Sequence, residues 1–149
     1  LSDSVRGATK GLHSDSSTTA EFSDVLASFN ADGFVVSDHG TVNNNNDTYV
    51  AWNWKAGTAF SNDASATSIG SIDSTGSVST KAGFSIISYT GTGSAATVAH
   101  GLGAVPTVYI CKARTDTGAD ENWLVYHSQN TAAPETEAQF DNFHSSMLC

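Results

Sequence analysis

Thr48-Tyr49-Val50-Ala51-Trp52-Asn53-Trp54-Lys55 is the stretch on which the reading of this chain turns. Aromatic and β-branched residues dominate it, the types that pack best on a pleated surface. They alternate with period two, so an extended backbone puts Val50, Trp52 and Trp54 on one face and Tyr49, Ala51 and Asn53 on the other. Two tryptophans on one face of one strand bury a large area. The expectation is therefore a central strand with its tryptophan face turned to a core.

Working outward from this stretch, the same grammar recurs. Phe84 to Tyr89 reads as a second strand between Gly83 and Gly91. Thr97 to His100 reads as a short strand, ended by Gly101-Leu102-Gly103. Val105 to Lys112 reads as another, with Pro106 near its start where a missing N–H is tolerated, and Trp123 to His127 follows. Upstream, Asp32-Gly33 is a turn pair leading into a strand at Gly33–Val36. Residues 57–82 are almost all Gly, Ala, Ser, Thr, Asn and Asp. They read as a connector or as a weak hairpin in which Ile69 and Ile72 precede a Ser74-Thr75-Gly76 turn and Val78 follows it. The one helical expectation is near the N-terminus. There Ser17, Thr18 and Thr19 can cap a start, Glu21 lies in the first turn, and Phe22, Val25, Leu26 and Phe29 follow at helical spacing; a loop with one helical turn is the alternative. Short strands separated by turn signals indicate an all-β fold, an antiparallel sandwich of jelly-roll type with one short N-terminal helix.

Composition agrees with this class. Of 149 residues only 14% are charged, so Ser, Thr, Asn and Gly must cover the surface; short polar residues favour turns over helices. Fifteen acids against six bases give a net charge of −9. The bases Arg6, Lys10, Lys55, Lys81, Lys112 and Arg114 are scattered, so neither nucleic acid nor an anionic membrane finds the clustered cations it needs. No apolar run reaches membrane-spanning length. The N-terminus has neither the basic start nor the apolar core of a signal peptide. The chain opens on Leu1, which suggests a piece of a longer protein or a processed product. Cys111 sits in the apolar run Val108-Tyr109-Ile110-Cys111 and reads as a small buried hydrophobe; a bridge to Cys149 is the alternative.

Three blocks taken in order are distinctive. They are Asp47-Thr48-Tyr49-Val50-Ala51-Trp52-Asn53-Trp54-Lys55-Ala56-Gly57, then Gly83 to Gly93 (GFSIISYTGTG) with Val98-Ala99-His100-Gly101-Leu102-Gly103 and Pro106, then Asn122-Trp123-Leu124-Val125-Tyr126-His127. Together they resemble the repeated modules of tail-fibre and tail-associated structural proteins of marine phages, which are similar to concanavalin-A-like lectin sandwiches. The resemblance covers most of residues 1–128. It implies that residues 1–57 are the C-terminal part of one module, 58–82 a connector, and 83–149 the N-terminal part of the next, or that these parts pack as one domain. It also implies a virion or extracellular location, a receptor-facing role on host-surface glycans, other tail or fibre subunits as partners, and a homo-oligomer. It carries no catalytic residues.

Each candidate site residue has a functional and a plainer reading. Trp123 follows a polar loop, so it is the tryptophan best placed to be exposed and to stack on a sugar beside Asn122; the plainer reading is core. His100 in His-Gly-Leu-Gly could touch a ligand at a bend. Its structural reading has Gly101 and Gly103 at positive φ and the imidazole bonded to a nearby carbonyl. Asp38, Asn43, Asn45 and Asp47 offer the hard oxygen donors that Ca²⁺ takes, against tight turns built by an asparagine run. The five histidines (His13, His39, His100, His127, His144) show no zinc spacing. Glycoside hydrolysis needs two placed carboxylates, and only Glu121 lies close to a strand start. The expectation is a non-enzymatic structural, receptor-binding module; a secreted bacterial lectin or adhesin domain is the alternative, and a glycan-degrading enzyme a more distant one.

Overall fold

The computed structural model describes residues 1–17, 21–115 and 122–129. Among these, nine strands and two single-turn helices make up the regular structure. β1 (Ser2–Asp3) and β2 (Gly7–Gly11) form a two-stranded ribbon, β3 (Leu26–Asn30) and β4 (Gly33–Val36) a hairpin, β5 (Thr58–Asn62), β6 (Ser74–Ser79) and β7 (Phe84–Tyr89) a three-stranded sheet, and β8 (Val108–Cys111) and β9 (Leu124–His127) a pair. The helices are α1 (Gly40–Asn43) and α2 (Ala64–Thr67). The ladders β3–β4, β5–β6, β6–β7 and β8–β9 are all antiparallel. The all-β class is therefore met, in small antiparallel sheets.

The chain divides into two compact units, one of Leu1–Ser2, Ala8–Asn45 and Pro106–Cys149, the other of Asp3–Gly7 and Asn46–Val105. In the first unit Leu12 and Trp123 are buried. The Trp123 indole N–H donates to the His13 carbonyl at 2.7 Å, and the His13 ring lies 4.6 Å from that of Phe22. Phe22 in turn exchanges backbone hydrogen bonds with Gly11. Its ring occupies the space a Gly11 side chain would need, since a Cβ there would fall 2.4 Å from Phe22 Cζ. Glu21 pairs with Lys10 at 3.4 Å and with Arg114 at 3.3 Å.

The second unit is built around residues that sequence reading undervalues. β6 is the central strand of its sheet, and Ser74-Thr75-Gly76 is part of it rather than a turn. Small residues succeed here because their polar groups are satisfied: Ser74 is 3% exposed and its hydroxyl donates to the Ala99 carbonyl at 3.1 Å. Gly76 lies in register between Phe60 and Ile87. The side chains of these two close over it, with Phe60 Cε1 and Ile87 Cδ1 within 2.9 and 2.7 Å of where a Cβ would sit. Glycine in a central strand is thus covered by its cross-strand neighbours, an arrangement that restores the packing it lacks.

Three further expectations change. The helical segment is not a helix: Leu26–Asn30 is β3, Phe22 forms an isolated bridge to Gly11, and residues 18–20 lie outside the described residues. Thr97–His100 is reduced to a single bridge, Ile72 to Val98. Thr48–Lys55 joins no ladder among the described residues, and Val50, Trp52 and Trp54 are 80%, 78% and 64% exposed. Alternation fixes an extended backbone and the residues that share a face; it does not supply the layer that would cover them. Trp123, the tryptophan best placed for exposure, is 5% exposed, in keeping with its core reading and against the ligand-stacking one.

Candidate functional site

From Asp47 to Gly57 the backbone runs without turn or bend. Asn46 before it takes φ +67° and Gly57 after it φ +103°, left-handed conformations suited to Asn and Gly that redirect the chain at both ends. Between those corners the segment is held at its C-terminal end, where Ala56 is buried. Gly57 packs with its α-carbon so close to the Val78 carbonyl that an added Cβ would lie 2.8 Å from it. Trp54 stacks on Phe84 at the start of β7, ring centroids 6.3 Å apart and planes 19° from parallel. The result is a strip of Val50, Trp52 and Trp54, all exposed, on backbone without turn or bend. Contiguous exposed apolar side chains of this size mark contact surfaces. Tryptophan supplies large, rigid contact area at small entropic cost.

The residues singled out in the sequence fare differently. Buried Trp123 offers no face to a ligand, and its N–H is committed to His13; Asn122 beside it is exposed. His100 is half-buried and its Nδ1 accepts the Leu102 N–H at 3.2 Å, with Gly101 and Gly103 at φ +72° and +71°. The structural reading holds for the two glycines, but the imidazole's partner is a backbone N–H and not the expected carbonyl, because Nδ1 acts as the acceptor in a side-chain-to-backbone turn. Asp38, Asn43, Asn45 and Asp47 are all exposed. Asn43 spends its amide on the Ser37 carbonyl at 3.0 Å, and His39 caps α1 by accepting the Thr41 N–H at 3.2 Å. Among the described residues no group of three or more His, Cys, Asp or Glu side chains is arranged to hold a metal ion. Cys111 is half-buried on β8, while Cys149 and Glu121 lie outside the described residues.

A family model described as a domain of unknown function, DUF7483, matches residues 1–146. This chain belongs to the DUF7483 family. No curated protein and no solved structure matches it.

A concavity of this DUF7483 chain lies within the unit that carries the tryptophan strip. It is an open hollow of about 400 Å³, lined by residues that include Ser4, Val5, Phe60, Thr75, Gly76 and Ser77. Its wall beside Ser4 is fixed by Asp3, whose carboxylate accepts the Val5 and Arg6 N–H groups at 3.0 and 2.9 Å and pairs with Arg6 Nε at 2.6 Å. The lining offers hydroxyls and one ring but no titratable side chain, so it suits neutral polar groups and has no acid–base pair of its own. Sequence reading misses both features. The alternation that reveals the strip points to burial rather than exposure, and the hollow is lined by small residues scattered over three segments.

Proposed function

We propose that the chain is a non-enzymatic structural and receptor-binding module of a phage tail fibre, with host-surface glycans as its receptor class and a virion location. Two things support the reading. The ordered blocks around Trp52-Asn53-Trp54, Gly83 to Gly93 and Asn122 to His127 resemble tail-fibre modules, and antiparallel β structure suits the concanavalin-like sandwich that resemblance implies. The observation that carries the binding half is the exposure of Trp52 and Trp54. Indole faces take the apolar faces of sugar rings. The exposed Thr48, on the same face by alternation, supplies a hydrogen-bonding group beside them.

The test uses the full chain on an array of host-surface glycans and on host cells. Binding is expected, and Trp52→Ala with Trp54→Ala is expected to abolish it. Binding that survives the double substitution would move the receptor site elsewhere, and a chain that binds no host surface material would leave only the scaffold role.

A further inference from the structure

The hollow beside Ser4 has a floor that the sheet register identifies. Ser77 stands opposite Ala59 on β5 and Ile86 on β7, and Thr75 stands opposite Ser61 and Ser88. Directly opposed residues point to one side of a sheet, as do residues two apart on a strand. Ala59, Thr75 and Ser77 thus share one face, and all three line the hollow. The opposite face is covered: Ser74 there bonds the Ala99 carbonyl, and Gly101 packs against Val78. Ser4 and Val5 complete the wall, in a turn held by the Asp3 carboxylate.

Ser77 is 8% exposed, and its hydroxyl has no hydrogen-bond partner among the described residues. Ser74, buried on the covered face, has one. Buried hydroxyls are ordinarily bonded, so an unmatched one on the floor of a hollow points to a group that enters it. The lining narrows what that group is. No charged side chain lines the hollow among the described residues, so neither an anion nor a cation finds a counter-charge there. The hydroxyls of Ser4, Thr75 and Ser77 each donate and accept, while Val5 and Ala59 are apolar. A neutral ring that carries several hydroxyls and also apolar C–H faces meets both demands, and about 400 Å³ is within the range of small-molecule sites. The tryptophan platform borders the same face. Ser79, two residues beyond Ser77 and on its side of the sheet, opposes Phe84, whose ring carries the Trp54 indole. Ser77 and Ser79 are one strand repeat apart, roughly 7 Å. We propose that the hollow seats one neutral sugar residue, hydrogen-bonded by Ser77, of a glycan whose neighbouring residue lies on Trp54. The second half of this assignment rests on the glycan-receptor reading; the first follows from the chemistry of the hollow.

Proton–nitrogen NMR spectra of the full chain read the site directly when it is titrated with glucose, galactose, mannose, N-acetylglucosamine and the anionic N-acetylneuraminic acid. At least one neutral sugar is expected to shift the Val5, Thr75 and Ser77 amides with millimolar affinity, and the anionic sugar is expected not to. Ser77→Ala is expected to weaken that binding about tenfold at an unchanged urea midpoint, because the hydroxyl bonds no described residue of the free chain. Ala59→Leu, at an exposed position of the edge strand, fills the hollow and is expected to abolish binding with the fold intact. Trp52→Ala with Trp54→Ala should lose host glycans on the array yet keep the single sugar. No shift at Val5, Thr75 and Ser77 with any sugar, shifts that survive both Ser77→Ala and Ala59→Leu, a preference for the anionic sugar, a single sugar lost with Trp52 and Trp54, or a lowered midpoint for Ser77→Ala would overturn the assignment. Host-glycan binding that needs Trp52 and Trp54 but is indifferent to Ser77→Ala and Ala59→Leu would overturn it while leaving the receptor reading intact. A neutral sugar seated in the hollow of a chain that binds no host glycan would do the reverse.

Discussion

Gly76 shows how much a single missing side chain decides in this protein. It sits in the central strand of the three-stranded sheet, and an added methyl would meet the Ile86 carbonyl at 2.5 Å, Ile87 Cδ1 at 2.7 Å and Phe60 Cε1 at 2.9 Å. A backbone carbonyl in a ladder cannot withdraw as the end of a flexible side chain can. Gly76→Ala is therefore expected to destabilise the fold by about 1–3 kcal/mol, the usual cost of overpacking. Gly91 is the matched control, with nothing within 4 Å of its virtual Cβ and no positive φ, so Gly91→Ala should shift stability by no more than ~0.5 kcal/mol. Urea denaturation midpoints of the two variants test the contrast, and equal midpoints would show that the sheet yields at Gly76. No pattern in the sequence marks Gly76 as a strand residue, because Ser74-Thr75-Gly76 has the composition of a turn. What makes it a strand is the hydroxyl bond from Ser74 to Ala99 and the covering side chains, both of which involve residues distant in the chain.

At the scale of elements, legibility follows the strength of local alternation. Phe84–Tyr89 and Gly33–Val36 are strands with the bounds the sequence suggests, and β8 and β9 fall inside their expected stretches. β3 misleads for a definable reason. Its pairing with β4 skips a residue between Leu26 and Ser28, so Leu26 opposes Val36 while Phe29 opposes Phe34. That bulge puts Leu26 and Phe29, three positions apart, on one face, which mimics helical spacing. The ion cluster beside it is equally invisible in the sequence, since Lys10, Glu21 and Arg114 come from three separate segments. Burial pushes the Glu21 carboxyl up, but the hydrogen bonds and positive charges of Lys10 and Arg114 outweigh burial and hold it below its ordinary value of 4.5. A carboxyl lowered by folding contributes stability above its unfolded-state pKa and loses it as pH falls through the folded-state one. Glu21→Gln should thus cost up to ~1 kcal/mol at neutral pH, the range of partly exposed pairs. The gap between the two proteins should close as pH drops below 4.5. Thermal unfolding across that pH range measures it; a gap that persists unchanged in acid would assign the loss to packing instead.

Across the whole molecule Trp52 and Trp54 depart from the core role that their alternation suggests while Trp123 keeps its core reading, and this bears on function as well as fold. Trp52 and Trp54 have the alternation of core residues but no layer above them, while Trp123 has a polar approach but is buried and bonded to His13. Sequence periodicity reports which residues share a face and is silent on what faces them, so the receptor-binding candidate is legible as a motif and misplaced as a surface. The distinction can be measured without any ligand. Truncating a buried tryptophan loses its apolar burial and leaves a cavity, so Trp123→Ala should destabilise the chain by about 3–5 kcal/mol. The lost hydrogen bond leaves the His13 carbonyl unsatisfied, which adds to the same side. Trp52→Ala removes a side chain already in water and should change stability by no more than ~0.5 kcal/mol. Trp54→Ala additionally loses a stacked contact with Phe84 and should fall between the two. Fluorescence offers an independent reading of the same order: in dilute solution acrylamide should quench most of the native emission, and the Trp52→Ala/Trp54→Ala variant should retain only a blue-shifted, poorly quenched signal from Trp123. A native chain whose three tryptophans are all shielded at concentrations where it is monomeric would place Val50, Trp52 and Trp54 against a covering layer, and the exposed strip would then be closed to a receptor.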